Sequence, residues 1–401
     1  VVLSPYRDVL RAPGALAFSA AGFVARMPIS MVGLGIVVLI SARTGSYGLA
    51  GALSATFALV NAGGAPALAR LIDRYGQRRV SLPAISLHVM GMVTFLVLVS
   101  SDAPRWSFFL AVTVAAVASP SIGSMVRARW TYVLGTGPRM HTAFSLESVI
   151  DEVVFVTGPP LVTVLATQVW PSAGLVAALV LLVAGGAWLF AQRVTEPPPQ
   201  PGEHGGAWVI RLKGMPVIVV VMLWLGTIFG AMEVTAVAFA DERGHRAAAG
   251  LVLALYAFGS MTGGLFYGLV HWRTPLPTRF LLGAVGMALT LVPLPFVTSL
   301  LALYPLALIA GFSIAPTMVA GIGVIERIVS AGRFNEGMAW AFSGLAVGLA
   351  VGASVAGAVA DRIDSRWGFL VSTVAGVLAV AACVGGLRSL RLATAALPQG
   401  A

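Results

Sequence analysis

Apolar runs of about twenty residues, each closed by a short polar linker, recur along the chain at 14–41, 49–69, 80–100, 107–127, 144–169, 173–192, 215–240, 248–270, 280–298, 300–325, 336–360 and 367–387. A helix of that length crosses the ~30 Å hydrocarbon core of a bilayer. The pattern predicts an all-α polytopic membrane protein with 12 transmembrane helices. Gly and Pro are scattered through the runs, as membrane helices tolerate. Small residues at i, i+4 spacing, such as Gly344, Gly348 and Gly352, predict closely packed helices.

The one long polar linker, 193–214, separates six runs from six. It predicts an N-terminal bundle over 1–192, a cytoplasmic linker and a C-terminal bundle over 215–401. Its Pro and Gly content suits a flexible or extended tether. Arg139 and Gly158, around run 5, recur 194 residues later as Arg333 and Gly352, around run 11. The halves are expected to be pseudo-symmetric repeats with a central site between them.

Charge fixes the expected orientation. Of the 25 Lys and Arg residues, eighteen fall in linkers on the side of both chain ends and six on the other, while Arg26 lies inside run 1. The bias toward one side places both termini in the cytoplasm, in a bacterial-type inner (cytoplasmic) membrane. The opening stretch reads as a cytoplasmic lead-in rather than a removable signal. Only 10% of residues are charged, against ~25% in soluble domains. The net charge of +10 sits in scattered linkers, with no basic stripe of the kind that binds nucleic acid. The single Cys excludes an internal disulfide and a Cys-based metal cluster. No metal or nucleotide motif appears, so no cofactor, no catalytic residue and no ATP hydrolysis are expected.

The segment 69-ARLIDRYGQRR-79, read as a loop after run 2, resembles the cytoplasmic signature of the major facilitator superfamily. Asp73, Arg74, Gly76, Arg78 and Arg79 match, while the leading Gly is Ala69. The second-half equivalent has lost the acid, and His271 stands near its position. The resemblance covers essentially the whole chain. It implies two six-helix bundles rocking around a central cavity, with Asp73 and Arg74 in an intracellular latch and a single chain as the working unit. Gly158-Pro159-Pro160 in run 5 resembles the helix-5 element of exporting members, where a kink or close approach is expected. The implied activity is secondary transport, tilted toward proton-coupled efflux of small organic molecules by antiport. A proton-coupled importer or facilitator, a lipid flippase and a non-transporting scaffold or receptor stand as alternatives.

Charge inside hydrocarbon is costly and marks function or pairing. Glu147 and Asp151 share a helix face, and Glu152 points elsewhere. Glu147 is expected near the cytoplasmic interface, with Asp151 and Glu152 one to two turns deeper. Arg127 and Arg129 at the end of run 4 are candidates to neutralise them. Glu233, deep in run 7 with no cation nearby in sequence, is expected to be neutral or to line a wet cavity. These four acids are the candidate proton-coupling groups. Arg26 should face an aqueous cavity, an acid or an anionic substrate, with Pro28 breaking the helix beside it. Arg26, Glu233 and Trp340 are the cavity candidates. Glu326, Arg333 and Glu336, with Arg327, are expected at an intracellular gate, together with Asp73, Arg74, Gly76, Arg78, Arg79, Arg127 and Arg129. Membrane lipids, protons and a small-molecule substrate are the expected partners.

Overall fold

The computed structural model describes residues 4–44, 46–135, 137, 139–199, 207–245, 248–270 and 272–395. Twelve helical spans are long and apolar enough to cross a membrane among these residues. Their order is α1 (Ser4–Leu10), a short lead-in, then α2 (Ala15–Arg26), α3 (Pro28–Thr44), α4 (Tyr47–Tyr75), α5 (Gln77–Ser100), α6 (Arg105–Val117), α7 (Ile122–Leu134), α8 (Arg139–Gln168) and α9 (Ala173–Ala191). The second half holds α10 (Met215–Glu242), α11 (Ala248–Leu269), α12 (Leu276–Leu291), α13 (Leu300–Gly311), α14 (Ile314–Ile328), α15 (Phe334–Arg362) and α16 (Gly368–Ala395).

Three spans are each made of two helices: α2 with α3, α6 with α7, and α13 with α14. Pro28 breaks the first as the sequence predicts, at Met27, and itself occupies the first position of α3, where its missing N–H costs nothing. Ala118–Ser121 breaks the second, and Pro120 there cannot continue a helical hydrogen-bond ladder. By contrast α8 runs unbroken through Pro159 and Pro160. At Gly158 the helix lies against Ser30 and Met31 of α3, so the feature serves close approach, and the Ser30 hydroxyl donates to the Val154 carbonyl at 2.9 Å.

The helices form two lobes. In the first, α2 packs on α9, α3 on α4 and α8, and α5 on α6; in the second, α10 packs on α15 and α16, and α11 on α13. Gly226 and Gly230 of α10 face the Leu345 and Leu349 carbonyls of α15, and Gly344, Gly348 and Gly352 face the Val219, Leu223 and Thr227 carbonyls of α10. The two backbones therefore interlock along the small-residue stripe, with no room for a side chain on either.

Helices run beyond the apolar runs on the side of the chain ends. The segment 69–79 is not a loop: α4 continues to Tyr75, α5 begins at Gln77, and Gly76 alone joins them at φ +95, a left-handed conformation that favours glycine. The sequence boundaries fell short because Arg, Leu and Gln are good helix formers outside the hydrocarbon as well as within it. The linker is also more ordered than a tether. Thr195 is buried, and the Glu196 carboxylate accepts from the Arg78 backbone N–H at 2.8 Å, at the start of α5. A 3-10 turn, Val209–Arg211, leads into α10, with Val209 fully buried. Arg246 and His271 lie outside the described residues.

Candidate functional site

Every interlobe hydrogen bond and ion pair found among the described residues lies between the side of the chain ends and the middle of the helices. Nearest that side, Tyr6 donates to the Leu265 carbonyl of α11 at 2.8 Å, and Thr142 of α8 donates to the Gly268 carbonyl at 3.0 Å. Burial pushes the Tyr6 phenol up to about 12, so it stays a neutral donor. Midway along the helices, Glu152 of α8 accepts from the Ser260 hydroxyl of α11, and Ser343 of α15 donates to the Ala62 carbonyl of α4 at 2.5 Å. Among the described residues no interlobe hydrogen bond or ion pair is found beyond these two contacts, so the polar contacts that join the lobes all lie on the side of the chain ends.

The joined side is built around Asp73. Its carboxylate accepts from Asn335 Nδ2 at 2.6 Å, the Glu336 backbone N–H at 2.9 Å and the Asn335 N–H at 3.4 Å. A helix start has unpaired N–H groups and partial positive charge, so an acid from the other lobe is well placed there. Glu336, fully buried, takes Arg333 at 3.1 Å, Arg70 of α4 at 4.0 Å and the Val209 N–H of the linker at 2.8 Å. Arg333 also donates to the Ala207 carbonyl at 2.6 Å. Between them stands Trp208. The Arg70 guanidinium lies 4.6 Å from its ring centroid, and Trp340 meets it edge-on at 6.2 Å. The linker is thus wedged into the seam between the lobes.

Several candidates sit elsewhere than the sequence suggested. Trp340 belongs to this closed seam, not to the cavity beside Arg26 and Glu233, because α15 turns it toward Trp208. Arg74 is exposed and lies over Tyr75, while Arg78 and Arg79 stay on their own lobe near Glu196. Glu326 pairs with its neighbour Arg327 at 3.8 Å and not with the Asp73–Glu336 group. Arg129 does not reach the acids of α8. It donates to Gln77 Oε1, the Gln192 carbonyl and Thr195 Oγ1, each at 2.9 Å, which ties α7 to α5 and to the linker.

The acids of α8 answer to two different environments. Arg26 of α2 pairs with Glu147 through one guanidinium nitrogen and with Asp151 at 2.7 Å through another. Arg127 of α7 holds the second Asp151 oxygen at 2.7 Å. Ser19 and Trp130 also donate to Glu147, at 2.8 and 2.7 Å. Since α8 begins at Arg139, Glu147 lies two turns inside the helix and is fully buried, not at the interface. Arg26 is 3% exposed and faces its acids, not the cavity, while Asp151 keeps 23% of its side chain open. Arg127 belongs to this inner cluster, not to the seam around Asp73.

Glu152, on the other face, looks into the lobe boundary, and among the described residues the Ser260 hydroxyl is its one hydrogen-bond partner. Tyr256 lies one turn along α11 from Ser260, the residue that holds Glu152. Its hydroxyl is buried and has no hydrogen-bond partner among the described residues, and its ring meets Phe229 of α10 edge-on at 6.4 Å. Glu233 is one helical turn from Phe229. On α10 the face packed on α15 carries Gly226 and Gly230, and the face packed on α16 carries Ile228 and Thr235. Glu233 projects opposite α16, between the directions of α11 and α15, the two helices that meet the other lobe. It is exposed, and no partner for it is found among the described residues.

Arg70, Trp208, Tyr256 and Ser260 were missed as site residues. Trp208 was visible as a lone tryptophan in a polar linker, and Tyr256 and Ser260 as i, i+4 polar positions in an apolar run. Nothing in the sequence marks Arg70 over its neighbours.

The profile described as Major Facilitator Superfamily matches the chain over residues 18–274 and again over 234–395. No curated protein matches the sequence. Among solved structures, a bacterial homologue of the iron transporter ferroportin in an outward-facing state is similar, at 14% identity and TM-score 0.73, over 93% of this chain and 98% of that one. The E. coli fucose:proton symporter FucP, as a point variant, is similar at 12% identity and TM-score 0.68, over 93% and 98%. The human organic anion transporter MFSD10 (TETRAN) is similar at 15% identity and TM-score 0.65, over 95% and 99%. At such identities the likeness establishes the fold.

Proposed function

Because the chain belongs to the Major Facilitator Superfamily, a family of transporters and not of enzymes, we propose that its secondary transport of a small molecule by alternating access is coupled to protons and directed to efflux. The observation that carries the coupling is the contrast between two sets of acids. Glu147 and Asp151 are held by Arg26 and Arg127, whereas Glu152 and Glu233 reach the cavity with no cation beside them. Closing the side away from the chain ends would bury both carboxylates, which is strongly unfavourable while they are charged. A proton on each removes that cost and links loading to the gate.

The basic linkers put the chain ends in the cytoplasm of a bacterial-type inner membrane, so the opposite side of the cavity is external. The lobes correspond to 1–192 and 215–401, joined by 193–214, and one chain suffices. Asp73, with Asn335 and Glu336, then forms the intracellular gate. Efflux as the direction rests on the resemblance of Gly158-Pro159-Pro160 to the exporter element. Proton-driven uptake is the competing direction, supported by the fold shared with a fucose:proton symporter.

The test is proton movement in proteoliposomes with a trapped pH dye, across a chemically varied panel of solutes. A solute that moves protons through the wild type but not through Glu233→Gln or Glu152→Gln supports coupling at these acids. A solute that crosses without protons in the wild type contradicts it, and the sign of solute flux under an imposed pH gradient separates efflux from uptake.

A further inference from the structure

The inner cluster of the first lobe is balanced in charge. Arg26 and Arg127 meet Glu147 and Asp151, and both guanidiniums are almost wholly buried. Their charges are already matched. Arg127 Nε is a buried donor with no partner among the described residues. Even so, freeing either guanidinium's charge for an arriving carboxylate or phosphate would break an existing ion pair, which costs several kcal/mol in a buried site (about 3–5). Glu152 and Glu233 have no such counterpart. The helix bodies around the cavity carry no Lys, Arg or His: α3 before Arg43, α4 before Arg70, α8 beyond Glu152, α10, α11, α14 before Glu326, and α15 between Glu336 and its last residue, Arg362. The nearest acid, Asp151, already has both its oxygens on arginines.

Tyr256 gives an independent sign of a ligand. The residue is only 7% exposed, yet its hydroxyl has no partner among the described residues, and an unmet hydroxyl at such depth is unfavourable by about 1–3 kcal/mol. It lies one helical turn from Ser260, which holds Glu152, and its ring meets that of Phe229, one turn from Glu233. The two aromatics thus stand along the path from Glu152 toward Glu233. Aromatic faces attract cations, more strongly where water is excluded.

We propose that the cavity binds a small organic cation, a protonated or quaternary amine, with its charge between Glu152 and Glu233 and its apolar body against Phe229 and Tyr256. This rests on the reading of the cavity as the transport site. Proton and substrate then contend for the same two carboxylates, so that binding one releases the other. The Tyr256 hydroxyl is left to meet the polar part of the ligand.

The test uses the full chain in lipid nanodiscs at alkaline pH, with probes matched in shape and opposite in charge. These are tetraphenylphosphonium against tetraphenylborate, and benzyltrimethylammonium against benzoate, with sodium chloride titrated alone. Binding is read by equilibrium dialysis. Expected is binding of at least one of the two cations over its anionic twin, weakened roughly tenfold or more in Glu152→Gln and Glu233→Gln. The charge-keeping Glu152→Asp and Glu233→Asp should retain binding, and Asp364→Asn, on a loop at the far end of α15, should bind as wild type. Preference for the anions, a site filled by sodium but not by the organic cations, equal binding in the Gln variants, or no binding across the panel would each overturn the proposal. Proton flux separates it from the coupling reading. A bound cation that moves no protons removes the coupling and keeps the substrate class; an anion that moves protons does the reverse.

Discussion

Asp73 of α4 caps the start of α15 from the other lobe, its carboxylate accepting from the Asn335 side chain at 2.6 Å and from the Glu336 N–H at 2.9 Å. An N-terminal cap is worth about 0.5–2 kcal/mol, and here that amount favours the closed seam directly. Asp73→Ala should open the seam more often. Amide hydrogen exchange across 331–340 should quicken by about fivefold, the equivalent of ~1 kcal/mol. Unchanged exchange would mean that the contact adds nothing to closure.

Glu147 receives Arg26, Ser19 and Trp130 in a site closed to solvent. Glu147→Gln leaves Arg26 with half its counter-charge, and breaking a buried pair costs about 3–5 kcal/mol. Thermal unfolding in detergent should fall clearly for Glu147→Gln and little for Glu152→Gln, which loses only a carboxylate held by one hydroxyl. Equal losses would contradict the division between a structural and a functional acid.

Trp208 is held between Arg70 and Trp340, and the adjacent Val209 N–H rests on Glu336. Trp208→Ala removes the wedge and should release 207–213. Limited trypsin cleavage at Arg211 or Lys213 is expected to accelerate several-fold, a change that a slack tether would not show.

Gly348 faces the Leu223 carbonyl with no space for a methyl group. Gly348→Ala should push α15 from α10 and lower the melting temperature, whereas Gly385→Ala, with open space around it, should not. Similar behaviour of the two would argue against the interlocked packing.

Much of this was legible in the sequence. Hydrophobic run length alone yielded the twelve spans, because a bilayer core imposes a length that chemistry cannot evade. The shared face of Glu147 and Asp151 and the break at Pro28 followed from helical period and proline chemistry. Partners across the fold did not follow. That Arg26 takes Glu147 and Asp151, that Arg129 turns away to Gln77, and that Trp340 meets the linker are outcomes of tertiary packing between helices far apart in sequence. The role of the linker was hidden for a related reason. Pro and Gly composition reports stiffness, while docking depends on what Glu336 and Arg78 present to it.

The central claim is that neutralising the cavity acids lets the lobes exchange one closed side for the other. Spin-label distances test it most directly, in a Cys383→Ala background that removes the single buried cysteine. One label pair at Arg79 and Arg273 reports the side of the chain ends, and another at Ser101 and Leu301 reports the opposite side; all four positions are exposed. Acidification, or Glu152→Gln with Glu233→Gln at alkaline pH, should lengthen the first distance while shortening the second. Distances that ignore both treatments, or that lengthen and shorten together, would contradict the account.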